Sequence, residues 1–323
     1  MSGAGSVRTR LVGIGSYLPQ TVVTNDELSR SVETSDSWIA ERTGIRQRHL
    51  AQPHETCVFM ATEAARAALA RARLQGSEIE AVILATATPD QQFPAAAVRV
   101  QAAIGSTGLA FDLSAACAGF LYGLSVADAM IRAGQIRSAL VIGSEVYSRI
   151  LNWQDRGTCV LFGDGAGAVV LQAGPASGPG ILATRLHADG TQGDILYIDG
   201  AVGQPERPGH LVMQGREVFR HAVAHLAGAV QEVVEAAGLT LSDIDLLVPH
   251  QANRRIIEAV GKRLGLDPAR VVVTVDRHAN TSAASVPLAL AAAESEGRLR
   301  PGQLIVLEAL GGGLTWGAAL VRL

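Results

Sequence analysis

The sequence has too few cysteines and too small a net charge for several classes of protein. Three cysteines occur in 323 residues, Cys57, Cys117 and Cys159, and they are too few and too scattered for a disulfide framework or a zinc site. The formal net charge of −3 argues against a general nucleic-acid-binding protein. We therefore predict a protein that has no nucleic-acid partner and works in a reducing compartment.

Long apolar stretches are absent from the sequence as well. No run approaches the roughly 18 apolar residues that cross a bilayer. The first ten residues also lack the apolar core of a signal peptide. These features predict that the protein has no membrane partner and is cytoplasmic.

The composition that remains favours a layered α/β protein. Hydrophobic residues make up 48% of the chain, aromatic residues only 4%, and there are 35 glycines. A core of alanine, valine, leucine and isoleucine with tight glycine turns is typical of helices packed on sheets.

The second half of the chain repeats the pattern of the first half, and the polar turn before the first shared strand recurs at an offset of 165 positions. The shared features are a polar turn before an apolar strand (77–85 and 242–248), a later strand (140–142 and 304–307) and a Gly-Ala-rich strand (167–171 and 317–321). We predict two copies of one half around a pseudo-twofold axis, with mostly parallel sheets covered by helices. The Gly/Pro/Ser-rich segment 174–180 predicts the boundary between the halves, 1–174 and 181–323.

Cys117 is a candidate nucleophile because of its place in the predicted structure. It lies between a predicted strand, 109–113, and a predicted helix, 118–133. Unpaired N–H groups and the positive dipole end of a helix favour an anion there, so we predict a lowered thiol pKa and a reactive thiolate. Its alanine and glycine neighbours would let a substrate carbonyl approach the sulfur. On this segment alone, a buried structural cysteine is an alternative interpretation.

Polar residues elsewhere are predicted to meet Cys117. His250 follows one predicted strand, and Asn280 follows another at 271–275. In the register of the repeat, Asn280 is the partner of position 115, so the pseudo-twofold axis would bring it close to Cys117. Open α/β sheets place their sites at the carboxyl ends of strands. The glycine run 311–313 could also aim a backbone N–H at a reacting carbonyl.

At these residues the sequence resembles β-ketoacyl-acyl-carrier-protein synthase III, of the thiolase-like superfamily, over about residues 11–323. The motifs are Asp-Leu-Ser-Ala-Ala-Cys117-Ala-Gly-Phe, Phe-Gly-Asp-Gly-Ala-Gly, His250-Gln-Ala-Asn, Asn280-Thr-Ser-Ala-Ala-Ser and Gly-Gly-Gly-Leu-Thr-Trp-Gly. The resemblance implies a five-layer αβαβα fold with duplicated halves and a homodimer. It also implies a catalytic triad of Cys117, His250 and Asn280, without a metal or other cofactor.

The resemblance implies binding residues too. They are Trp38 and Arg42 around the adenine of coenzyme A, Arg156 as a further adenine contact, Asn253 along the pantetheine tunnel, Phe93 in the acyl pocket of the partner subunit and Gly312 as the second oxyanion donor beside the Cys117 N–H. Arg216 is a departure, since the family often has a small polar residue near the tunnel mouth. Residues 201–210 show no periodicity and predict an exposed loop.

A basic helix is predicted to follow His250. It carries Arg255, Lys262 and Arg263, and the first two are seven positions apart and so share one face. Acyl-carrier proteins are acidic, so we predict that this face docks the carrier protein at the tunnel mouth. An ordinary solvated helix face is the alternative.

The implied reaction has two half-reactions. Cys117 takes an acyl group from acyl-CoA, and the group then condenses decarboxylatively with malonyl-acyl-carrier protein to give β-ketoacyl-acyl-carrier protein, CoA and carbon dioxide. A biosynthetic thiolase would need a second cysteine near the C-terminus, and no cysteine follows Cys159. A relative in secondary metabolism, acting as an acyltransferase or a specialised ketosynthase, stays open, as does a non-catalytic partner subunit. The motifs leave primer length and branching open.

Overall fold

The architecture comes from a computed structural model that describes residues 7–200, 206–207 and 209–323. The strands are β1 (Val7–Tyr17), β2 (Val22–Thr24), β3 (Gln47–His49), β4 (Ala81–Ala85), β5 (Leu109–Leu113), β6 (Ser138–Glu145), β7 (Gly165–Pro175), β8 (Gly180–Ala188), β9 (Leu196–Ile198), β10 (Leu211–Met213), β11 (Leu246–Pro249), β12 (Leu304–Gly311) and β13 (Thr315–Arg322). The helices are α1 (Asn25–Leu28), α2 (Asp36–Thr43), α3 (Cys57–Ala72), α4 (Ala96–Ala103), α5 (Gly119–Arg132), α6 (Gly215–Ala236), α7 (Arg254–Arg263), α8 (Val275–His278) and α9 (Ser285–Ser295). Short 3₁₀ turns, Ala116–Ala118 and Ser282–Ala284, precede α5 and α9.

Two mixed sheets carry the fold. The first has the strand order β1-β7-β6-β4-β5, and the second has the order β11-β12-β13-β8. The predicted mostly parallel sheets are confirmed, because every strand except β7 in the first sheet and β13 in the second runs in one common direction. β13 runs in the opposite direction because the turn that joins it to β12 is short, and a connection of that length joins only antiparallel neighbours.

The helices form three layers around these sheets. The outer face of the first sheet is covered by α3 and α4, and the outer face of the second is covered by α6, with α7 packed against it. Between the sheets lie α5 and α9, which contact strands of both. All five residues of β4 are buried, as expected for a strand with helices on both sides. The predicted five-layer αβαβα arrangement is therefore confirmed.

The internal repeat is visible in the backbone. Before α5 and α9, the two 3₁₀ turns begin at equivalent places, and Ala116 and Ser282 have nearly the same left-handed φ, 45° and 49°. The first sheet uses strands up to Pro175, and the second uses strands from Gly180 onward. The division into halves 1–174 and 181–323 stays a prediction about domain organisation.

The predicted strand at 271–275 is wrong. Val271 makes only an isolated bridge to Leu247, and the Val272 N–H donates to the Leu247 carbonyl at 2.9 Å. The N–H groups of Thr274 and Val275 are taken instead by the Gln251 side chain, whose Oε1 accepts both at 2.7 and 3.0 Å. The chain therefore turns into α8, and Asn280 follows a short helix rather than a strand.

Candidate active site

Cys117 lies, as predicted, where the chain passes from β5 into α5. The preceding Ala116 has the left-handed φ that turns the chain, and Cys117 is buried at 5% exposure. Gly119 lets α5 pack closely on the first sheet, since an added Cβ would lie 3.0 Å from the Cβ of Ala85. The sulfur is thus presented at a helix start within the protein interior.

The predicted lowering of the thiol pKa is wrong for the free protein. Burial raises the pKa of Cys117 to about 12; the Ser282 hydroxyl works in the opposite direction, and the Glu145 carboxylate adds to the increase. A helix N-terminus stabilises a partly buried anion by at most about 2 kcal/mol. Loss of hydration can shift a fully buried group by several pKa units, so it dominates here.

His250 is placed by the end of β11. Its N–H donates to the Glu308 carbonyl at 2.8 Å, which continues the parallel pairing of β11 with β12. The ring is buried, and this burial lowers the pKa of His250 to about 3. The imidazole is therefore neutral at physiological pH and can donate one hydrogen bond without carrying charge.

Asn280 is held at both its backbone and its side chain. Its N–H donates to the Leu161 carbonyl at 2.9 Å, and its carbonyl accepts from the Gly163 N–H at 3.0 Å. Its side-chain Oδ1 accepts from the Ser282 N–H at 2.9 Å. The Nδ2 donors are consequently the polar atoms that remain to face the cavity lined by this residue.

One cavity brings the predicted residues together. It has a volume of about 1210 Å³, and Cys117, His250, Asn280 and Gly312 all line it. Ligand pockets commonly measure about 300–1,000 Å³, so this cavity suits a long ligand. Its apolar wall includes Tyr147 and Phe162, whose rings stack 4.8 Å apart.

The glycine turn after β12 lies directly against the backbone of Cys117. A Cβ added at Gly311 would be 2.4 Å from the Cys117 nitrogen, and one at Gly312 would be 2.5 Å from the Leu196 carbonyl oxygen. Thr315 Oγ1 donates to the Ala115 carbonyl at 2.8 Å and ties the two segments together. Only glycine allows this approach, which places backbone groups of both segments at one wall of the cavity.

An aromatic and basic cluster lies at one end of the cavity. Trp38, Arg42, Asn253, Arg216 and Arg255 all line the wall. The guanidinium of Arg42 lies 4.5 Å from the centre of the Trp38 ring, and that of Arg156 lies 4.8 Å from it. Cation–π contacts of this kind are worth about 0.5–1 kcal/mol at exposed sites, so an incoming planar ring can replace one of them. Asn253 Oδ1 is occupied in capping α7, where it accepts the Arg255 and Ile256 N–H groups.

Phe93, Lys262 and Arg263 are not among the described residues that line the cavity. Phe93 is 86% exposed. Arg255 reaches the wall and donates to the Glu41 carbonyl at 2.9 Å, whereas Lys262 and Arg263 are exposed further along α7. Within the predicted loop 201–210, residues 201–205 and 208 lie outside the described residues.

Gln251 holds two segments of the site together, a role that was not predicted from the sequence. Besides accepting two N–H groups at the start of α8, its Nε2 donates to the carbonyls of Pro249 and Val272 at 2.9 and 3.0 Å. This buried amide joins the loop that carries His250 to the segment that leads to Asn280. The only feature of the sequence that points to this role is the position of Gln251 directly after His250 in the His-Gln-Ala-Asn motif.

Two further findings concern metals and membranes. In the part of the chain that the structure describes, there is no group of three or more His, Cys, Asp or Glu residues that could hold a metal ion. None of the described helices combines the length and the apolar character that a membrane span requires.

Comparisons with known proteins agree with this geometry. Residues 111–190 match the family 3-oxoacyl-[acyl-carrier-protein (ACP)] synthase III, and residues 234–323 match its C-terminal family. The chain is 69% identical to β-ketoacyl-[acyl-carrier-protein] synthase III of Acidiphilium cryptum and 60% identical to that of Granulibacter bethesdensis, each over 98% of this chain and 99% of the relative.

Solved structures show the same relationship. The synthase III of Aquifex aeolicus superposes with a TM-score of 0.93 at 46% identity, covering 98% of this chain and 100% of that one. A priming β-ketosynthase from a polyketide biosynthetic pathway superposes with a TM-score of 0.94 at 37% identity, covering 100% and 98%. The chain therefore belongs to the 3-oxoacyl-[acyl-carrier-protein] synthase III family and is a condensing acyltransferase that initiates fatty acid synthesis.

Proposed function

We propose that Cys117, His250 and Asn280 divide the two half-reactions of this condensing enzyme between them. The observation that carries the proposal is that a buried thiol, a neutral imidazole and an amide with free Nδ2 donors line one cavity. A nucleophile and two uncharged donors are the groups that acyl transfer followed by decarboxylation requires.

In the first half-reaction, Cys117 attacks the thioester of an acyl-CoA primer. The backbone N–H groups of Cys117 and Gly312 stabilise the tetrahedral oxyanion; the close packing of the neighbouring Gly311 on the Cys117 nitrogen, and the place of both residues in the cavity wall, support this assignment. The carbon–sulfur bond to coenzyme A breaks as the acyl–Cys117 bond forms. The thiol proton leaves with coenzyme A, so the thiolate needs to exist only transiently in the buried site.

In the second half-reaction, malonyl-acyl-carrier protein enters the same cavity. His250 and Asn280 donate hydrogen bonds to the thioester oxygen, where negative charge develops as carbon dioxide leaves. Because both donors are neutral, they gain most strength when the enolate forms, which favours the transition state over the bound substrate. The carbanion then attacks the acyl–Cys117 carbonyl, the bond from that carbonyl to sulfur breaks, and β-ketoacyl-acyl-carrier protein leaves as the Cys117 sulfur regains a proton from water.

The cluster at the cavity end is proposed to bind coenzyme A. Trp38 stacks on the adenine together with Arg42 and Arg156, and the cation–π contacts of the free protein support this placement. Asn253 lines the pantetheine path. No cofactor takes part, because both thioesters are substrates.

The carrier protein is proposed to dock on the exposed face of α7. Arg255 lies both on this helix and in the cavity wall, and Lys262 and Arg263 extend the basic surface beyond the wall. An acidic carrier protein would be steered to this face before its malonyl arm enters the cavity.

We further propose a cytoplasmic homodimer. The edge strand β5 of the first sheet has no partner on its outer side among the described residues, and Leu109 on it is 42% exposed. The exposure of Phe93, at 86%, suits insertion into the acyl pocket of the partner subunit. Exposed edges and large apolar side chains of this kind are typical of interfaces.

A priming role in secondary metabolism is a second candidate. It is supported by the high structural similarity to a polyketide priming enzyme. The greater identity of the curated relatives, from 57 to 69%, favours fatty acid synthesis.

Separate measurement of the half-reactions tests the proposed division of labour. His250→Ala and Asn280→Ala should each slow carbon dioxide release from malonyl-acyl-carrier protein on the order of 10²-fold or more, as for other charge-stabilising donors. Acylation of Cys117 by acyl-CoA should stay largely intact. An equal loss of both steps would mean that His250 also activates the thiol, contrary to the proposal.

A further inference from the structure

Behind the cavity wall, a buried carboxylate that the proposed reaction does not use is held by several donors. Glu145, at the end of β6, is fully buried. Its Oε2 accepts from Thr88 Oγ1 at 2.6 Å and from Thr86 Oγ1 at 3.2 Å, and the Ala87 N–H donates to the same oxygen at 3.1 Å. A buried carboxylate is costly unless its oxygens are satisfied, so these contacts fix the side chain in place.

The other oxygen of this carboxylate holds Ser282. Ser282 Oγ donates to Glu145 Oε1 at 3.1 Å, and the Tyr147 hydroxyl lies 3.0 Å from the same Oγ. Ser282 has a φ of 49°, in the left-handed region that residues other than glycine rarely adopt. A strained backbone conformation persists only where surrounding contacts hold it, and the contacts of Ser282 Oγ with Glu145 and Tyr147 do so here.

Ser282 in turn holds the side chain of Asn280. The Ser282 N–H donates to Asn280 Oδ1 at 2.9 Å, and Glu145, Ser282 and Asn280 are all buried. An amide has one acceptor oxygen and one donor nitrogen on opposite sides, so fixing Oδ1 also fixes the direction of Nδ2.

We propose that Glu145 and Ser282 are positioning residues for the decarboxylation step. Glu145 holds Ser282 in its left-handed conformation, and the Ser282 N–H then keeps Asn280 Nδ2 directed at the thioester oxygen of the malonyl group. Neither residue touches the substrate. The inference rests on the role of Asn280 in the proposed function.

Removal of the Glu145 side chain should slow decarboxylation without weakening substrate binding. We expect Glu145→Ala to lower kcat for carbon dioxide release on the order of tenfold, with KM for malonyl-acyl-carrier protein unchanged. This loss is smaller than the loss expected for Asn280→Ala, because the amide donor is misdirected and not removed. Acylation of Cys117 should not fall, because loss of the carboxylate also removes one of the contributions that raise the pKa of the thiol. Glu145→Gln, which keeps an acceptor for Thr88 and a polar group beside Ser282, should restore most of the rate.

A double-mutant comparison separates positioning from general destabilisation. In an Asn280→Ala background, Glu145→Ala should cause no further loss of carbon dioxide release, because the amide that it orients is gone. In a His250→Ala background, the full loss should persist. Additive losses in both backgrounds would overturn the proposal. If Asn280→Ala alone leaves decarboxylation unchanged, the proposed function fails instead.

Substitutions at Ser282 test the same contacts from the other side and leave the Glu145 carboxylate in place, without its hydrogen bond from Ser282. Ser282→Ala removes the hydroxyl at a φ that alanine disfavours, whereas Ser282→Gly removes it at a φ that glycine tolerates. Both should lower decarboxylation, and the alanine variant should lower it more. Ser125→Ala, which removes a serine–threonine contact of 2.9 Å elsewhere in the fold, is the matched control and should keep the parent rate. A parent-like rate in Ser282→Ala would contradict the proposal.

Discussion

The pH dependence of Cys117 alkylation should show whether burial, which raises the thiol pKa, outweighs the helix N-terminus, which lowers it. Burial raises the pKa of this thiol to about 12 in the free protein. The thiolate is therefore only about one part in 10⁵ at pH 7, against a few per cent for a free cysteine with a pKa near 8.5. The rate of alkylation should rise about tenfold for each pH unit from 6 to 10, without levelling off.

Alkylation by iodoacetamide, followed peptide by peptide with mass spectrometry, measures this dependence. Site resolution is needed because Cys57 is also buried and burial raises its pKa to about 12 as well. The Cys117→Ser variant is the control, because the peptide that carries residue 117 should no longer be alkylated in it. A rate that levels off near pH 7 would show that the start of α5 stabilises the thiolate more than burial opposes it, and would refute this reasoning.

Two further predictions concern the carrier protein and the glycine turn. Arg255→Glu combined with Lys262→Glu should raise KM for malonyl-acyl-carrier protein strongly at low salt and less at high salt, while acylation by a small acyl-CoA changes much less; parent-like kinetics at low salt would exclude α7 as the docking face. Gly312→Ala should slow acylation of Cys117, because the new Cβ would lie 2.5 Å from the Leu196 carbonyl oxygen and push the turn away. Gly190→Ala, with nothing within 4 Å of its new Cβ, is the control, and equal rates in both alanine variants would argue against an oxyanion donor at this turn.

Local sequence patterns predicted the parts of the site that local structure determines. The junction that carries Cys117 could be read from an apolar strand followed by a helical period, and the end of β11 at His250 could be read from its repeat partner. The strand predicted before Asn280 failed because Gln251, more than 20 positions away, takes the N–H groups that a strand would use. A side chain that competes for backbone donors leaves no periodic signal in the segment that it changes.

Long-range contacts explain the remaining differences. The pKa of Cys117 depends on how completely the folded protein excludes water, which the helix pattern does not encode. The contact between Glu145 and Ser282 joins residues 137 positions apart. The left-handed conformation of Ser282 and the burial of both residues follow from packing between the two halves of the chain. The matching turns before α5 and α9, in contrast, reflect the repeat that the sequence does show.

Mass spectrometry of the intact protein in a single turnover tests the central claim most directly. The parent protein, incubated with a panel of acyl-CoAs, should gain the mass of one acyl group on Cys117, and Cys117→Ser should gain none, since an alcohol without an adjacent base is a far weaker nucleophile. Addition of malonyl-acyl-carrier protein should then remove the acyl group and yield β-ketoacyl-acyl-carrier protein and carbon dioxide. An acyl group on another residue, or condensation that persists in Cys117→Ser, would contradict the account.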